Sequence, residues 1–74
     1  MPTTTRTRAL FGKRVRELRL KRKWSQEKLA EESGLHWTYI SGIERGKRNL
    51  GIENVLKLAR ALKVDAGQLF KGVH

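Results

Sequence analysis

The sequence predicts an all-α fold of five short helices within a single domain. Apolar residues recur at spacings of three and four positions, which is the pattern of one face of an α-helix. No stretch alternates between apolar and polar residues for long enough to predict a strand. Glycines and good N-cap residues separate the helical segments, and 74 residues suffice for one domain with a small core.

The first helix is expected at about residues 9–22. Residues 1–8 precede it as a polar, threonine-rich segment with two arginines, and we expect this segment to form a flexible basic N-terminal arm. Residues 9–74 then make up the domain. The first helix should bury the apolar residues that recur at helical spacing, which are Phe11, Val15 and Leu18.

The second and third helices form a helix-turn-helix pattern. The second should span residues 26–33, between the N-cap residue Ser25 and Gly34, because glycine adopts the left-handed conformation after a helix without strain. The third should span about residues 37–45 and be held to the second by Ile40 and Ile43. In this arrangement the third helix projects from the surface and fits a DNA major groove about 12 Å wide.

The C-terminal part is predicted to contain two more helices. A fourth should span residues 52–62, with an apolar stripe formed by Ile52, Val55, Leu56, Ala59 and Leu62. A short fifth helix should begin after Asp65, whose side chain can cap it. The helix-turn-helix core does not need the other apolar residues of this part. We therefore expect a dimer contact formed by Leu58, Val64, Leu69, Phe70 and Val73.

The charge of the chain indicates a polyanionic partner. The formal net charge is +10, and nine of the 17 basic residues lie within residues 1–23 beside a single acid. Nucleic acid is the leading partner, an anionic membrane surface is the runner-up, and a merely solvated basic surface is the third interpretation. The chain has no cysteine and no apolar run long enough for a membrane span or a signal segment, which favours a cytoplasmic protein.

The third helix divides into two faces on a helical wheel. Ile40 and Ile43 define the buried side. Trp37 and Tyr39 stand on the flanks, where each either meets DNA or packs beside the helix. The outward face is short, polar and capable of hydrogen bonding, and it consists of Thr38, Ser41, Gly42 and Arg45.

The segment SQEKLAEESGLHWTYISGIERGKRN, residues 25–49, resembles the DNA-binding domain of phage repressors of the Cro/CI type and of the related xenobiotic-response-element regulators. The resemblance extends over about residues 11–70. Within it, TYISGIERGKRNLGIENV is similar to the controller proteins of restriction–modification systems. The resemblance implies a phage-repressor-like helix-turn-helix fold. It also implies a sequence-specific regulator of transcription that binds a palindromic operator in double-stranded DNA as a homodimer.

The wheel and the resemblance together predict the site residues. The resemblance implies that Gln26 binds a backbone phosphate and braces the third helix. It also implies a buried ion pair of Arg19 with Glu44 that ties the first helix to the third. Gly42 offers no side chain to a base, so it should either permit a closer approach to DNA or leave room for a neighbouring side chain. The DNA-binding set is Gln26, His36, Trp37, Thr38, Tyr39, Ser41, Gly42, Arg45, Lys47, Arg48 and Asn49.

Trp37 is the main departure from the pattern of the family. Many relatives carry a polar or basic residue where this chain has Trp37. A tryptophan can stack or contact a thymine methyl group, but it offers a single hydrogen-bond donor. The base preference at this position therefore does not follow from that of the relatives.

Three acids on the second helix have two interpretations. Glu27, Glu31 and Glu32 form either a solvated face with local pairs, such as Lys28 with Glu32, or a patch that contacts RNA polymerase during activation.

Neither a catalytic site nor a bound cofactor is expected. His36 has no partner ligand for a metal ion, and the serines lie in no nucleophile motif, so the chain is not expected to be an enzyme. Two further functions remain open at this stage. One is an antitoxin that binds a toxin and regulates its own gene, and the other is a non-specific architectural DNA-binding protein.

Overall fold

Five helices make up the structure, a computed structural model that describes the backbone of residues 3–74 and the side chains of residues 5–74. They are α1 (Thr3–Lys21), α2 (Gln26–Ser33), α3 (Trp37–Glu44), α4 (Ile52–Leu62) and α5 (Ala66–Leu69). Residues 3–74 contain no strand, so the predicted all-α fold class is confirmed. Within the same residues, no helix has the length and apolar character needed to cross a membrane.

Helix α1 differs from the prediction at its N-terminal end. It begins at Thr3, so residues 3–8 are helical rather than an irregular arm. Met1 and Pro2, the rest of the predicted arm, lie outside the described residues. Tertiary contacts stabilise these first turns, although threonine has only modest helix propensity. The Thr7 hydroxyl donates to the carbonyl oxygen of His74 at 3.3 Å. Gly46 also approaches α1 so closely that a Cβ at Gly46 would lie 2.9 Å from the Ala9 Cα.

The hydrophobic core lies between α1, α2, α3 and α4, with α5 packed against α1 and α4. The predicted stripe of α1 is buried, as expected. Burying these side chains together is the main favourable contribution to the stability of a domain of this size. The largest fully buried side chains are Leu29, Ile40, Ile43, Leu58, Leu62, Leu69 and Val15.

Helix α4 buries only part of the predicted stripe: Ala59 and Leu62 are buried and Val55 packs against the core. Leu58 and Ala61 are buried, whereas Ile52 is 79% exposed and Leu56 is also exposed. Ile52 and Leu56 of the predicted stripe are therefore not part of the core. Helical spacing shows which residues share a face, but it does not show how much of that face the neighbouring helices cover.

The ends of α2 have the predicted caps. Ser25 Oγ accepts a hydrogen bond from the backbone N–H of Lys28 at 3.0 Å, which satisfies a donor in the first turn of α2. Gly34 follows the helix with φ of 76°, and its N–H donates to the carbonyl oxygen of Ala30 at 2.9 Å. These two residues fix where α2 starts and where the chain turns toward α3.

Helix α1 approaches α3 closely at Gly12, which was not predicted from the sequence. A Cβ at Gly12 would clash with the carbonyl oxygen of Ile43 and would lie 2.9 Å from that of Glu44. Glycine is required here because backbone atoms cannot move aside as a flexible side chain can. The close approach holds α1 against the C-terminal end of α3.

Candidate nucleic-acid interface

Helix α3 presents its N-terminal turn to solvent while its inner face is anchored in the core. Ile40 and Ile43 are almost completely buried. His36 is the N-cap, and its Nδ1 accepts the backbone N–H of Thr38 at 3.1 Å. The Thr38 hydroxyl lies 2.8 Å from the same nitrogen. His36 therefore has a structural role as the N-cap and stays exposed beside the helix terminus, while its contact with DNA stays a prediction.

Trp37 is the first residue of α3 and remains 48% exposed. It is not among the partly buried side chains that pack against the core. This exposure argues against a packing role and leaves the indole ring available to a partner. Thr38 is also exposed, so two adjacent side chains at the start of α3 face outward.

A buried ion pair ties α3 to α1 at the opposite end of α3. Arg19 Nε donates to Glu44 Oε2 at 2.7 Å, and a second guanidinium nitrogen donates to Oε1 at 3.0 Å. The two side chains are only 8% and 3% exposed. Gln26 Nε2 also donates to Glu44 Oε1 at 3.1 Å. The predicted pair is thus present, and Gln26 braces α3 from α2, while its contact with a phosphate stays a prediction.

Tyr39 joins α3 to α4 and to the following loop. Its ring packs against the core, and its hydroxyl oxygen accepts a hydrogen bond from Asn54 Nδ2 at 3.1 Å. The Arg48 guanidinium carbon lies 5.4 Å from the centre of the Tyr39 ring. Because the hydroxyl oxygen accepts from Asn54, its own proton remains free to be donated to a phosphate. Asn54 was not predicted as a site residue, and nothing in its spacing distinguishes it from other polar residues of α4.

Gly42 occupies a different environment from the predicted one. It is buried, although the helical wheel placed it on the outward face. The side chain of Arg48 lies over it, so that a Cβ at Gly42 would be 2.9 Å from Arg48 Cγ. The wheel failed here because it cannot show that a loop folds back over a helix. Of the two expectations for Gly42, the structure supports the one in which it leaves room for a neighbouring side chain.

The segment of residues 45–49, which we term the basic loop, continues from the end of α3. The backbone N–H of Lys47 donates to the carbonyl oxygen of Gly42 at 2.8 Å, and Gly46 has φ of 73°. Arg45 Nε donates to the carbonyl oxygen of Ser41 at 3.3 Å, and Ser41 itself is half-buried. The basic loop is therefore a defined turn that keeps four side chains exposed beside α3: Arg45, Lys47, Arg48 and Asn49.

The three acids of α2 are exposed and partly paired. Lys28 Nζ lies 2.9 Å from Glu32 Oε2 and 3.5 Å from Glu31 Oε1. Glu27 is also exposed. The hydrogen bond from Lys28 lowers the pKa of Glu32 below its usual value, and the pKa of Lys28 is raised by the same bond. The local pairing expected for a solvated face is thus present.

The predicted dimer residues separate into two groups. Leu58 and Leu69 are completely buried within the chain, so their assignment to a dimer contact is wrong. Val64 and Val73 are half-buried against the core, and Phe70 is 46% exposed with its ring 5.3 Å from that of Phe11. The amphipathic pattern of the sequence did not show which leucines α1, α2 and α5 would cover.

An exposed apolar surface, which the helical spacing did not predict, lies next to Phe70. It forms a shallow groove between α4 and α5, and we term it the α4–α5 groove. Ile52 and Leu56, the two exposed residues of the predicted α4 stripe, lie along it. The residues that line it are Leu50, Ile52, Val55, Leu56, Ala66 and Phe70.

The side chains of residues 5–74 form no group of three or more His, Cys, Asp or Glu residues that could hold a metal ion. Exposed residues at the start of α3 and in the basic loop are instead the groups that can contact a partner. They combine an indole, a hydroxyl, an amide and three basic side chains, which suits hydrogen bonding to bases and phosphates.

Comparisons with known proteins agree with this geometry. Control protein C.BamHI of Bacillus amyloliquefaciens is 52% identical over 67 residues, which cover 89% of this chain and 83% of that protein. The crystal structure of the restriction–modification controller protein C.AhdI from Aeromonas hydrophila matches with a TM-score of 0.84 and 49% identity, covering 85% of this chain and 96% of that chain. The controller protein C.Esp1396I, solved as a tetramer in complex with its natural 35 base-pair operator, matches with a TM-score of 0.81 and 34% identity over 90% of this chain and 88% of that chain.

The family assignment rests on most of the chain. The helix-turn-helix family model matches residues 15–69, which include all of α2, α3 and α4. The same residues contain the capped turn between α2 and α3 and the anchored inner face of α3. The chain therefore belongs to the helix-turn-helix family.

Proposed function

We propose that the chain is a sequence-specific regulator of transcription that binds a palindromic operator in double-stranded DNA as a homodimer and controls a restriction–modification operon. The observation that carries the proposal is the exposed N-terminal turn of α3, anchored from behind by Ile40 and Ile43 and continued by the basic loop. The relatives C.BamHI and C.AhdI are named as controller proteins. Their similarity over most of this chain supports the same role here.

The start of α3 and the basic loop divide the work of binding. Trp37 and Thr38 lie at the end of α3 that enters a major groove, so they are the side chains we expect to meet base edges. The basic loop supplies cations that neutralise backbone phosphates, and these contacts position the protein without reading sequence. Gln26 and the Arg19–Glu44 pair hold α3 at its angle.

Selection of bound duplexes from a random pool tests this proposal. A two-fold symmetric consensus with half-sites about 34 Å apart is expected. Each subunit inserts its own α3 into the major groove, and the two helices of a dimer lie one helical turn apart on the same face of the duplex. The absence of any enriched sequence would contradict sequence-specific binding and favour a non-specific architectural protein.

Salt dependence tests the role of the basic loop. Each phosphate that a cation neutralises is expected to contribute about −0.9 to the slope of log K against log salt concentration. Lys47→Ala should make that slope shallower by about 1 per subunit and weaken binding to all duplexes similarly. A slope that is flat for the unmodified protein would contradict phosphate contacts altogether.

The homodimer is proposed to form through the α4–α5 groove. Ile52 is 79% exposed and lies beside Leu56 and Phe70. A monomer gains from covering such a continuous apolar surface, and two-fold symmetry lets the same surface serve both copies. Ile52→Glu should convert the dimer to a monomer in sedimentation equilibrium without unfolding it, since the side chain is not part of the core. Leu20→Glu is the matched control because Leu20 is also exposed but lies on α1, away from the groove. Equal dissociation by both variants would contradict this interface.

The acidic face of α2 is proposed to contact RNA polymerase if the protein activates transcription. Glu27 is exposed, and Glu31 is more exposed than Glu32, whose carboxylate lies 2.9 Å from Lys28 Nζ. The double variant with Glu27→Gln and Glu31→Gln should lose activation in a purified transcription assay while binding the operator with unchanged affinity. Unchanged activation with unchanged DNA binding would contradict the polymerase contact.

We infer that the protein binds DNA and does not catalyse a reaction. We also infer that it acts in the cytoplasm. The exposed groups at the candidate interface are those of a DNA-binding surface, and the chain belongs to a family of DNA-binding regulators. An operator in bacterial DNA lies in the cytoplasm, so the protein is expected there. Incubation with operator DNA should leave the DNA chemically unchanged.

A further inference from the structure

Gly42 lies within α3, where glycine is less favourable than alanine. Its backbone does not require glycine, because the positive φ angles of glycine in this chain occur elsewhere, at Gly34, Gly46 and Gly72. The space around it is the limiting factor. A Cβ at this position would lie 2.9 Å from Arg48 Cγ, 3.2 Å from Nε and 3.6 Å from Cδ. The stem of Arg48 therefore lies flat on α3 where the missing Cβ leaves room.

Two further contacts hold Arg48 in this position. Its guanidinium carbon stands 5.4 Å from the centre of the Tyr39 ring, within the range of a cation–π interaction. Asn54 in turn donates a hydrogen bond to the Tyr39 hydroxyl at 3.1 Å and so restrains the ring. The backbone is restrained as well, because the N–H of Lys47 donates to the carbonyl oxygen of Gly42 itself.

We propose that Gly42 is a positioning residue. Because it has no side chain, it leaves a space on α3, which we term the seat, and the stem of Arg48 is ordered in this space before DNA binds. The inference rests on the proposed function for its consequence, which is tighter binding to DNA. An arginine that is already ordered loses less conformational entropy when its guanidinium contacts a backbone phosphate. Gly42 thus acts on DNA through Arg48 and not by direct contact.

The first test replaces Gly42 by alanine in the full-length protein and measures binding to the selected operator duplex. Gly42→Ala should displace Arg48 and weaken binding by up to about tenfold per subunit, or up to about a hundredfold for a dimer, since ordering one long side chain on binding costs up to about that factor. The melting temperature should stay the same or rise by up to about 5 °C, because alanine is the better helix former and Arg48 can move aside. Gly51→Ala is the control, since a Cβ at Gly51 would meet no atom within 4 Å. It should bind as the unmodified protein does.

A double-mutant cycle distinguishes an effect of Gly42 through Arg48 from a direct clash between a side chain at position 42 and DNA. If Gly42 acts through Arg48, Gly42→Ala should have no further effect on binding in a protein that already carries Arg48→Ala. An equal loss in both backgrounds would overturn the proposal, because it would mean that the alanine methyl group itself obstructs DNA. Unchanged binding of the single Gly42→Ala variant would also overturn it.

A measurement without DNA distinguishes failure of this inference from failure of the proposed function. The Arg48 Nε–Hε group should show restricted motion by NMR relaxation in the free protein and fast motion in Gly42→Ala. Fast motion in the unmodified protein would overturn the seat, whatever the protein binds. Restricted motion in a protein that selects no operator would leave the seat supported and contradict the proposed function instead.

Discussion

The buried ion pair between Arg19 and Glu44 should make Arg19→Met strongly destabilising. The substitution removes two hydrogen bonds of 2.7 and 3.0 Å from the Glu44 carboxylate, which is 3% exposed and keeps only the bond from Gln26. It also removes the hydrogen bond of 2.7 Å that the Arg19 guanidinium donates to the carbonyl oxygen of Trp24. Breaking a buried pair by removing one partner costs about 3–5 kcal/mol, because the remaining charge stays buried without compensation.

This loss is large relative to the stability of so small a domain. At about 0.05–0.15 kcal/mol per residue, a chain of this length is expected to have a free energy of unfolding of about 4–11 kcal/mol. Arg19→Met should therefore remove roughly half of it. Urea unfolding followed by circular dichroism measures the change as a lower midpoint with an unchanged slope.

A double variant tests whether the damage comes from the unpaired charge. Arg19→Met combined with Glu44→Leu removes both charges, so most of the lost free energy of unfolding should return, because an apolar pair of similar volume is often as stable as the ion pair. The reasoning would be refuted if Arg19→Met cost less than about 1 kcal/mol, or if the double variant were as unstable as the sum of the two single variants.

Three further predictions concern other parts of the chain. Gly12→Ala should lower the free energy of unfolding by about 2 kcal/mol or more, since the new methyl group meets the backbone of Ile43; thermal unfolding measures this, and an unchanged midpoint would contradict the close approach. Trp37→Ala should change the base preference in duplex selection while leaving the melting temperature nearly unchanged, because the ring is exposed; a large loss of stability would indicate packing instead. The pKa of Glu32 is lowered by its hydrogen bond from Lys28, so the small stabilisation is present at neutral pH and is lost as the pH falls through that lowered pKa. In Lys28→Gln, carboxyl NMR titration should find the pKa of Glu32 returned toward its usual value, and an unchanged titration would refute the assigned cause.

Helix positions were largely predictable because their signals are local. Helix α2 begins after Ser25, which accepts a cap hydrogen bond, and ends before Gly34, which has a positive φ angle. Both features depend on residues close in sequence. The two isoleucines of α3 lie where helical spacing places them. The start of α1 was not predictable in this way, because its first turns are stabilised by residues as distant as His74.

The interface was only partly predictable, and the errors share one cause. Helical spacing put Ile52 on the same stripe as buried residues, yet no neighbouring helix covers it. It also put Gly42 on the outward face, where the side chain of Arg48 folds back to cover it. No sequence pattern pointed to Asn54, because its role is to donate a hydrogen bond to the hydroxyl of Tyr39, which is fifteen positions away.

The amino-acid sequence alone was sufficient for the all-α class, the helix-turn-helix and the basic character, whereas the pairing of Arg19 with Glu44 came from the resemblance to the family. Periodicity, capping and charge are properties of neighbouring residues, so they can be inferred before any fold is known. Only the tertiary structure decided which apolar residues stay exposed and which side chain occupies the space above Gly42. These outcomes depend on which elements cover which faces, and that is determined when distant segments pack together.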